Sequence, residues 1–335
     1  MEIEDNWRCD VPRKWFSTPY SFTEKLSWLK NNLIRPSRKY SKLTKFIPQD
    51  YELNKVETKI RIGFIGDIMR MGRRELDFDQ TLIDFFNDAD YLVGNFEGTI
   101  SAKKKVFMAQ DHSEKILYDL EKLFKPDRFI LGCANNHSGD FGWTEFENSY
   151  NLIKQHGFIP IGRRDEGSIV IDDLINLVAV TKWSNQPCRY VAKFDSRDAY
   201  YDAGAEFNIL YPHWGYEMQL YPNPRQIQIG KDILNKWDLI IGHHPHVPQP
   251  ITAYDINEQK KLLAYSLGNF CWNVKFRRYL NGMVVLISIG PTEDGTWAVG
   301  KVKWKFTKVE HINPESSIVK LVESCKYFKN IEYLD

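Results

Sequence analysis

The sequence predicts a layered α/β fold, and three observations carry the prediction. From residue 59 onward, short apolar runs rich in β-branched and aromatic residues alternate with amphipathic helical stretches, the pattern of strands feeding helices. A chain of 335 residues that is 43% hydrophobic and 27% charged can bury a full core, which excludes disordered, collagenous and fibrous classes. Directly after the apolar runs stand Asp, Asn, Glu and His residues, at the strand ends where open α/β sheets bind ligands.

The stretch 1–58 differs from the rest. Between residues 24 and 45, Lys25, Lys30, Arg35, Arg38, Lys39, Lys42 and Lys45 face one acid, Glu24, while Leu26, Leu29, Leu33 and Ile34 recur at helical spacing. A basic, partly helical extension is expected there. Such a helix either packs on the body with a solvated basic face or docks on a membrane or partner. Strands are expected at 59–65, 91–94, 129–133, 207–211 and 239–241. Ile116, Leu117, Leu120, Leu123 and Phe124 mark one helix face, and Ile229, Ile233, Leu234 and Trp237 another. Past Gly282, Met283, Val285, Ile287 and Ile289 alternate with their neighbours, Glu293-Asp294-Gly295 turns the chain, and 297–307 alternates again. This predicts an antiparallel pair completing a second sheet. The main domain is expected over 59–310, with a tail, 311–335, packed on it.

With 45 Lys and Arg against 44 Asp and Glu, the formal charge is +1, which leaves no global field to draw the chain onto nucleic acid. The five cysteines, Cys9, Cys133, Cys188, Cys271 and Cys325, are scattered and odd in number, so free thiols are expected. No apolar run approaches the roughly 20 residues needed to cross a bilayer, and the first stretch is charged and polar where a secretory leader is apolar. A cytoplasmic protein is the expectation.

Following the five strands are Gly66-Asp67-Ile68-Met69, Asn95-Phe96-Glu97-Gly98, Asn135-Asn136-His137, Pro212-His213-Trp214-Gly215 with Glu217, and Gly242-His243-His244-Pro245-His246. Together they offer a mixed nitrogen and oxygen donor set suited to Mn, Fe or Zn. Taken singly, Asp67 reads as well as a helix N-cap, Asn135 and Asn136 as turn residues, and His213 as a core histidine. Three histidines within four positions, in a chain with eight, are harder to assign to chance. If that segment is extended, His244 and His246 share a face and His243 points away, so His243 stays outside the expected ligand set. By the same rule Asn95 and Glu97 share a face.

These motifs, with Asp140-Phe141-Gly142 and Ser266-Leu267-Gly268-Asn269-Phe270, resemble in order the series found in CapA-type capsule-synthesis proteins. That family is associated with poly-γ-glutamate capsule assembly and belongs to the calcineurin-like metallophosphoesterase superfamily; the resemblance spans 59–308. It implies a four-layer α-β-β-α sandwich with two divalent ions at the strand ends. Carried onto this chain, Asp67 and His246 would hold one ion, Asn136, His213 and His244 the other, and Glu97 would be shared. His137 matches the superfamily's catalytic histidine, with Asp140 orienting it. Asn95, Arg73, Glu217 and Asn269 would support the ligands or touch substrate, and Arg74, Arg163 and Arg164 are further candidates for a phosphate. Two positions depart from the pattern: Met69 stands where many relatives carry a histidine, and Asn95 where they carry an aspartate. A bridge between two cations needs negative charge, so it falls to Glu97.

The resemblance thus implies a metal-dependent phosphoesterase with two Mn, Fe or Zn ions, acting on a phosphorylated small molecule or polymer in bacterial capsule or surface-polymer biosynthesis. The alternative is a non-catalytic, metal-containing assembly subunit that binds polymer or a synthase. Contact with a capsule synthase, or with the inner face of the membrane, would fall to the basic N-terminal segment.

Overall fold

All five expected strands form, at Ile60–Ile68 (β1), Tyr91–Phe96 (β2), Phe129–Gly132 (β3), Phe207–His213 (β5) and Leu239–Ile241 (β6); a further apolar run, Ile175–Thr181 (β4), joins them. The structure is a computed structural model that describes residues 6–14, 18–103, 107–329 and 331–334. Parts of the expected extension (1–5 and 15–17) and of the expected tail (330 and 335) lie outside the described residues.

The five strands divide between two sheets instead of sharing one. β1, β2 and β3 run parallel in a ten-stranded sheet, and β4, β5 and β6 run parallel in a six-stranded one. Asn269–Cys271 (β7) pairs parallel with the end of β1. The hairpin of Asn281–Pro291 (β8) and Trp297–His311 (β9) corrects the expectation of a second-sheet pair, because β8 lies antiparallel to β1 in the first sheet. Alternation along a hairpin specifies which face is buried but not which neighbour its edge will meet.

The two sheets pack face to face. β4 sends Leu177 and Ala179 into the core shared with the first sheet and turns Val178 and Val180 outward, as a period of two requires. Outward, they meet Ile233 and Leu234 of Pro224–Leu234 (α4), together with Trp237. Burying each such aliphatic side chain stabilises by roughly 1.5–3 kcal/mol, so a charge at Val178 would strip this outer layer. α4 starts where Asn223 accepts a hydrogen bond from the Gln226 amide and Pro224 supplies a preset first turn. Across the centre, the Tyr211 hydroxyl of β5 donates to the Ile65 carbonyl of β1 at 3.1 Å. Lys115–Glu121 (α2) and Trp143–Gln155 (α3) pack on the first sheet through Ile116, Leu117, Leu120, Phe146 and Ile153. The result is the expected four-layer α-β-β-α sandwich.

The chain ends are woven into this body. Asp50–Glu52 and Ser316–Val322 both pair with β9, so the extension and the tail each add a strand to the first sheet. The expected N-terminal helix forms at Phe22–Leu33 (α1), opened by a Ser21–Glu24 capping box. No described helix is long and apolar enough to cross a membrane, and all five cysteines are free.

Candidate metal centre

The carboxyl ends of strands from both sheets meet at one point, and β1 brings Asp67 there. Gly66 permits the approach: a Cβ on it would stand 2.0 Å from the Gly268 carbonyl, to which the Asp67 amide donates at 2.8 Å. Phe64 faces the second sheet, its ring 6.1 Å from that of Tyr211. Strict alternation would turn Asp67, three positions on, the other way. The β1–β2 register shifts between Phe64 and Asp67, and this irregularity re-aims the carboxylate inward. Asp67 Oδ2 consequently lies 3.4 Å from Nδ1 of His246.

β2 delivers Asn95 and Glu97. The Asn95 amide donates to Asp67 Oδ1 at 2.8 Å and lies 3.3 Å from Glu97 Oε2, so it ties the two carboxylates together. In the turn after β3, Asn136 Oδ1 stands 2.8 Å from Nε2 of His213 at the end of β5. His137 follows, its Nδ1 2.6 Å from Asp140 Oδ2 and its Nε2 3.9 Å from Glu97 Oε1.

The loop after β6 supplies three imidazoles. It is not extended, for His244 has φ 102° and His246 φ 56°. Such conformations cost on the order of 1–3 kcal/mol each and persist where surrounding structure imposes them. His243, expected to point away, instead places Nδ1 3.1 Å from His213 Nδ1, because the alternation rule holds only for extended backbone. Two groups of potential ligand atoms result, Asp67 with His213 and His243, and Glu97 with His244 and His246, each gathered within 4.8 Å.

These side chains fit a cation site. All are buried, yet Glu97 Oε1, His243 Nε2 and His244 Nδ1 have no hydrogen-bond partner, although an unpaired buried polar atom costs about 1–3 kcal/mol. Glu97 Oε1 lies 3.6 Å from His246 Nε2 and 3.9 Å from His213 Nε2, a central position for a shared carboxylate. Burial, followed by repulsion from neighbouring imidazoles, holds His213 and His244 neutral, and burial brings His243 down to about 4. Neutral imidazole is the ligating form. Burial raises the Glu97 carboxyl to about 8, with His246 pulling the other way and Asp67 reinforcing it. For His246 burial opposes charge, but Glu97 and Asp67 overcome it and lift the ring to about 10.

Further residues hold the candidate ligands. Asn269 Oδ1 lies 2.9 Å from His246 Nδ1, which turns Nε2 toward Glu97. The Tyr20 hydroxyl meets His244 Nε2 at 2.6 Å. Above the cluster opens a cavity of about 500 Å³, lined among others by His137, Asp140, His246, Glu217 and Arg70. Glu217 accepts a hydrogen bond from the Trp28 indole at 2.7 Å, which anchors α1 beside the opening.

The arginines expected to meet phosphate do not line this cavity among the described residues. Arg73 is exposed, Arg74 bonds Asn273 Oδ1 at 2.9 Å, Arg163 pairs with Asp165 and Glu166, and Arg164 lies 6.0 Å over the Trp7 ring. Sequence reasoning passed over Arg70, although it directly follows the Gly66–Met69 motif. It also passed over Tyr20, for which no local signal exists, since the two partners are 224 positions apart.

Residues 177–274 match the family described as bacterial capsule synthesis protein PGA_cap, a span that holds His213, Glu217, all three loop imidazoles and Asn269. The PGA biosynthesis protein CapA of Bacillus subtilis (strain 168) is 26% identical over 274 residues, covering 71% of this chain and 70% of that protein. The capsule biosynthesis protein CapA of Bacillus anthracis is 24% identical over 264 residues, covering 68% of this chain and 63% of that one. A solved Staphylococcus aureus structure, described as a candidate 5'-nucleotidase in complex with alpha-ketoglutarate, overlaps 82% of this chain and 56% of its own at 13% identity and a TM-score of 0.42. By the family match and both Bacillus relatives, this chain is similar to CapA-type capsule-synthesis proteins.

Proposed function

We propose that this protein hydrolyses a phosphate ester at a two-ion centre, in the biosynthesis of a bacterial capsule or other surface polymer. The observation that carries the reading is Glu97 Oε1, a buried carboxylate oxygen without a hydrogen-bond partner among three imidazoles, those of His137, His213 and His246. Asp67, Glu97, Asn136, His213, His244 and His246, now joined by His243, would hold two Mn, Fe or Zn ions, which supply Lewis acidity toward phosphoryl oxygens and a nucleophilic water at neutral pH. Asp140 fixes the His137 ring through Nδ1, which leaves Nε2 to donate a proton to the departing ester oxygen from the cavity wall. Arg70, ion-paired with Asp111 at 2.8 Å, lines the cavity and would meet a phosphate there.

The test is metal analysis of the purified protein coupled to a panel of phosphomonoesters and diesters. About two bound divalent ions and turnover that disappears in Asp67→Ala and His244→Ala are expected. Activity retained in both variants sinks the hydrolase. The names of the two Bacillus relatives speak of biosynthesis, which favours a second reading, a metal-containing assembly subunit that binds polymer or a synthase. Two bound ions with no turnover across the panel would select it. A cytoplasmic location with the basic segment touching the membrane or a synthase completes the proposal; flotation with anionic vesicles, lost when Lys25, Lys30, Arg35 and Lys39 become Gln, is its check.

A further inference from the structure

Exposed large apolar side chains are concentrated at one place. Of thirteen among the described residues, five, Phe22, Leu26, Leu29, Phe107 and Met108, line the single cavity above the metal cluster. Three of them come from α1, whose remaining contacts hold it in position: the Trp28 indole donates to Glu217 at 2.7 Å, and Glu24 accepts from the Tyr216 hydroxyl at 2.7 Å. The helix is therefore fixed while its apolar stripe is left facing open space. A surface helix whose only task were to cover the body would turn that stripe inward.

Apolar side chains reach the candidate site as well. Trp272 lines the cavity and packs its ring 5.4 Å from that of His246. His137 and Asp140 line the same space, as do the cations Arg70 and Lys25. The lining thus combines cations able to meet an anion with a broad apolar surface. A volume of about 500 Å³ lies within the range of roughly 300–1,000 Å³ typical of ligand pockets, more than a phosphoryl group alone would fill.

We infer that the ester cleaved here is amphiphilic: a phosphate ester of an apolar, lipid-type alcohol, its phosphoryl group at the metal cluster and its chain lying between α1 and the Phe107–Met108 loop. The assignment rests on the phosphoesterase reading for the location of the head group, but it concerns binding and is tested without turnover. Hydrolysis would add water across the P–O bond, releasing phosphate or a phosphomonoester and returning the proton to the departing alcohol.

Non-hydrolysable methyl-, butyl- and octylphosphonate, all kept below micellar concentrations, are titrated into the metal-loaded full-length protein by calorimetry. Because each fully buried methylene is worth up to about fourfold in affinity, octylphosphonate is expected to bind between about 10- and 200-fold tighter than butylphosphonate. The double variant Leu26→Glu, Leu29→Glu, altering half-exposed positions on a helix surface, is expected to remove most of that chain-length dependence. Affinities that do not change with chain length overturn the assignment. So does a chain-length dependence that the double variant leaves intact, or a protein that floats with vesicles and binds none of the soluble phosphonates. Chain-length dependence without hydrolysis of any ester would retire the hydrolase and leave this binding assignment standing.

Discussion

The hydroxyl of Tyr20 lies 2.6 Å from Nε2 of His244, while Nδ1 of the same ring is buried without a partner. With a cation on the Nδ1 lone pair, Nε2 would carry the proton and donate it to the phenol oxygen, which holds the ring in the ligating tautomer. A residue from the N-terminal segment thereby touches a candidate ligand in the loop after β6.

Replacing Tyr20 with Phe removes this hydrogen bond and keeps the ring contacts to Trp183 and Tyr216. The fold is expected to survive, with metal affinity lower by about 10- to 100-fold, as is usual when a ligand histidine loses its supporting partner. Competition titration against a metallochromic chelator measures this, and unchanged affinity would show that the contact does not orient the ligand.

His137→Ala is expected to lower kcat by about 10²–10⁴ while the ion content stays the same, since the ring is placed to move a proton and lies outside the two ligand groups. Asp140→Asn should cost less, because it loosens the ring without deleting it. Loss of metal in His137→Ala would reassign the residue as a ligand.

Cation binding should also stabilise the fold. A ligand at a thousand times its Kd adds about 4 kcal/mol to the native state, so chelation is expected to lower Tm by several degrees. Asp67→Ala should show the low Tm with or without added metal; a chelator-independent Tm in the unaltered protein would contradict the proposed site.

Acid stability gives a fourth prediction, through His112. Burial against Phe96 holds this ring down to about 4, with a hydrogen bond to the Glu97 carbonyl at 3.0 Å partly opposing. In the unfolded chain the group titrates near 6.5, so between those values the unfolded state binds more protons. Stability is full above pH 6.5 and is lost as pH falls toward 4, by about 3 kcal/mol from this residue. Urea unfolding of His112→Gln across that window should show a correspondingly shallower decline; an unaltered slope would rule out His112 as a source.

Gly66→Ala forces a methyl group to 2.0 Å from the Gly268 carbonyl, backbone against backbone. A loss of at least about 2 kcal/mol is expected, together with weakened metal binding as Asp67 is displaced. Chemical denaturation reads the first effect and metal titration the second; a variant of unchanged stability would show that β1 and β7 can part without cost.

Much of the architecture was legible in local pattern. Apolar runs of strand length marked β1, β2, β3, β5 and β6, and alternation marked the hairpin of β8 and β9, because burial on a pleated surface imposes its period on the sequence. The motif series put metal-capable side chains at the ends of those strands, and parallel strands carry such ends to a common edge. What the pattern could not say was how many sheets there are, since a strand's composition reports that it is buried, not against which neighbour. Nor could it place His243 and Asp67, whose directions depend on a left-handed turn and a register shift where the alternation rule stops. Tyr20 and Arg70 reach the site only through contacts between segments distant in sequence. Local periodicity records which side chains leave water; the packing of whole layers against one another decides which of them meet.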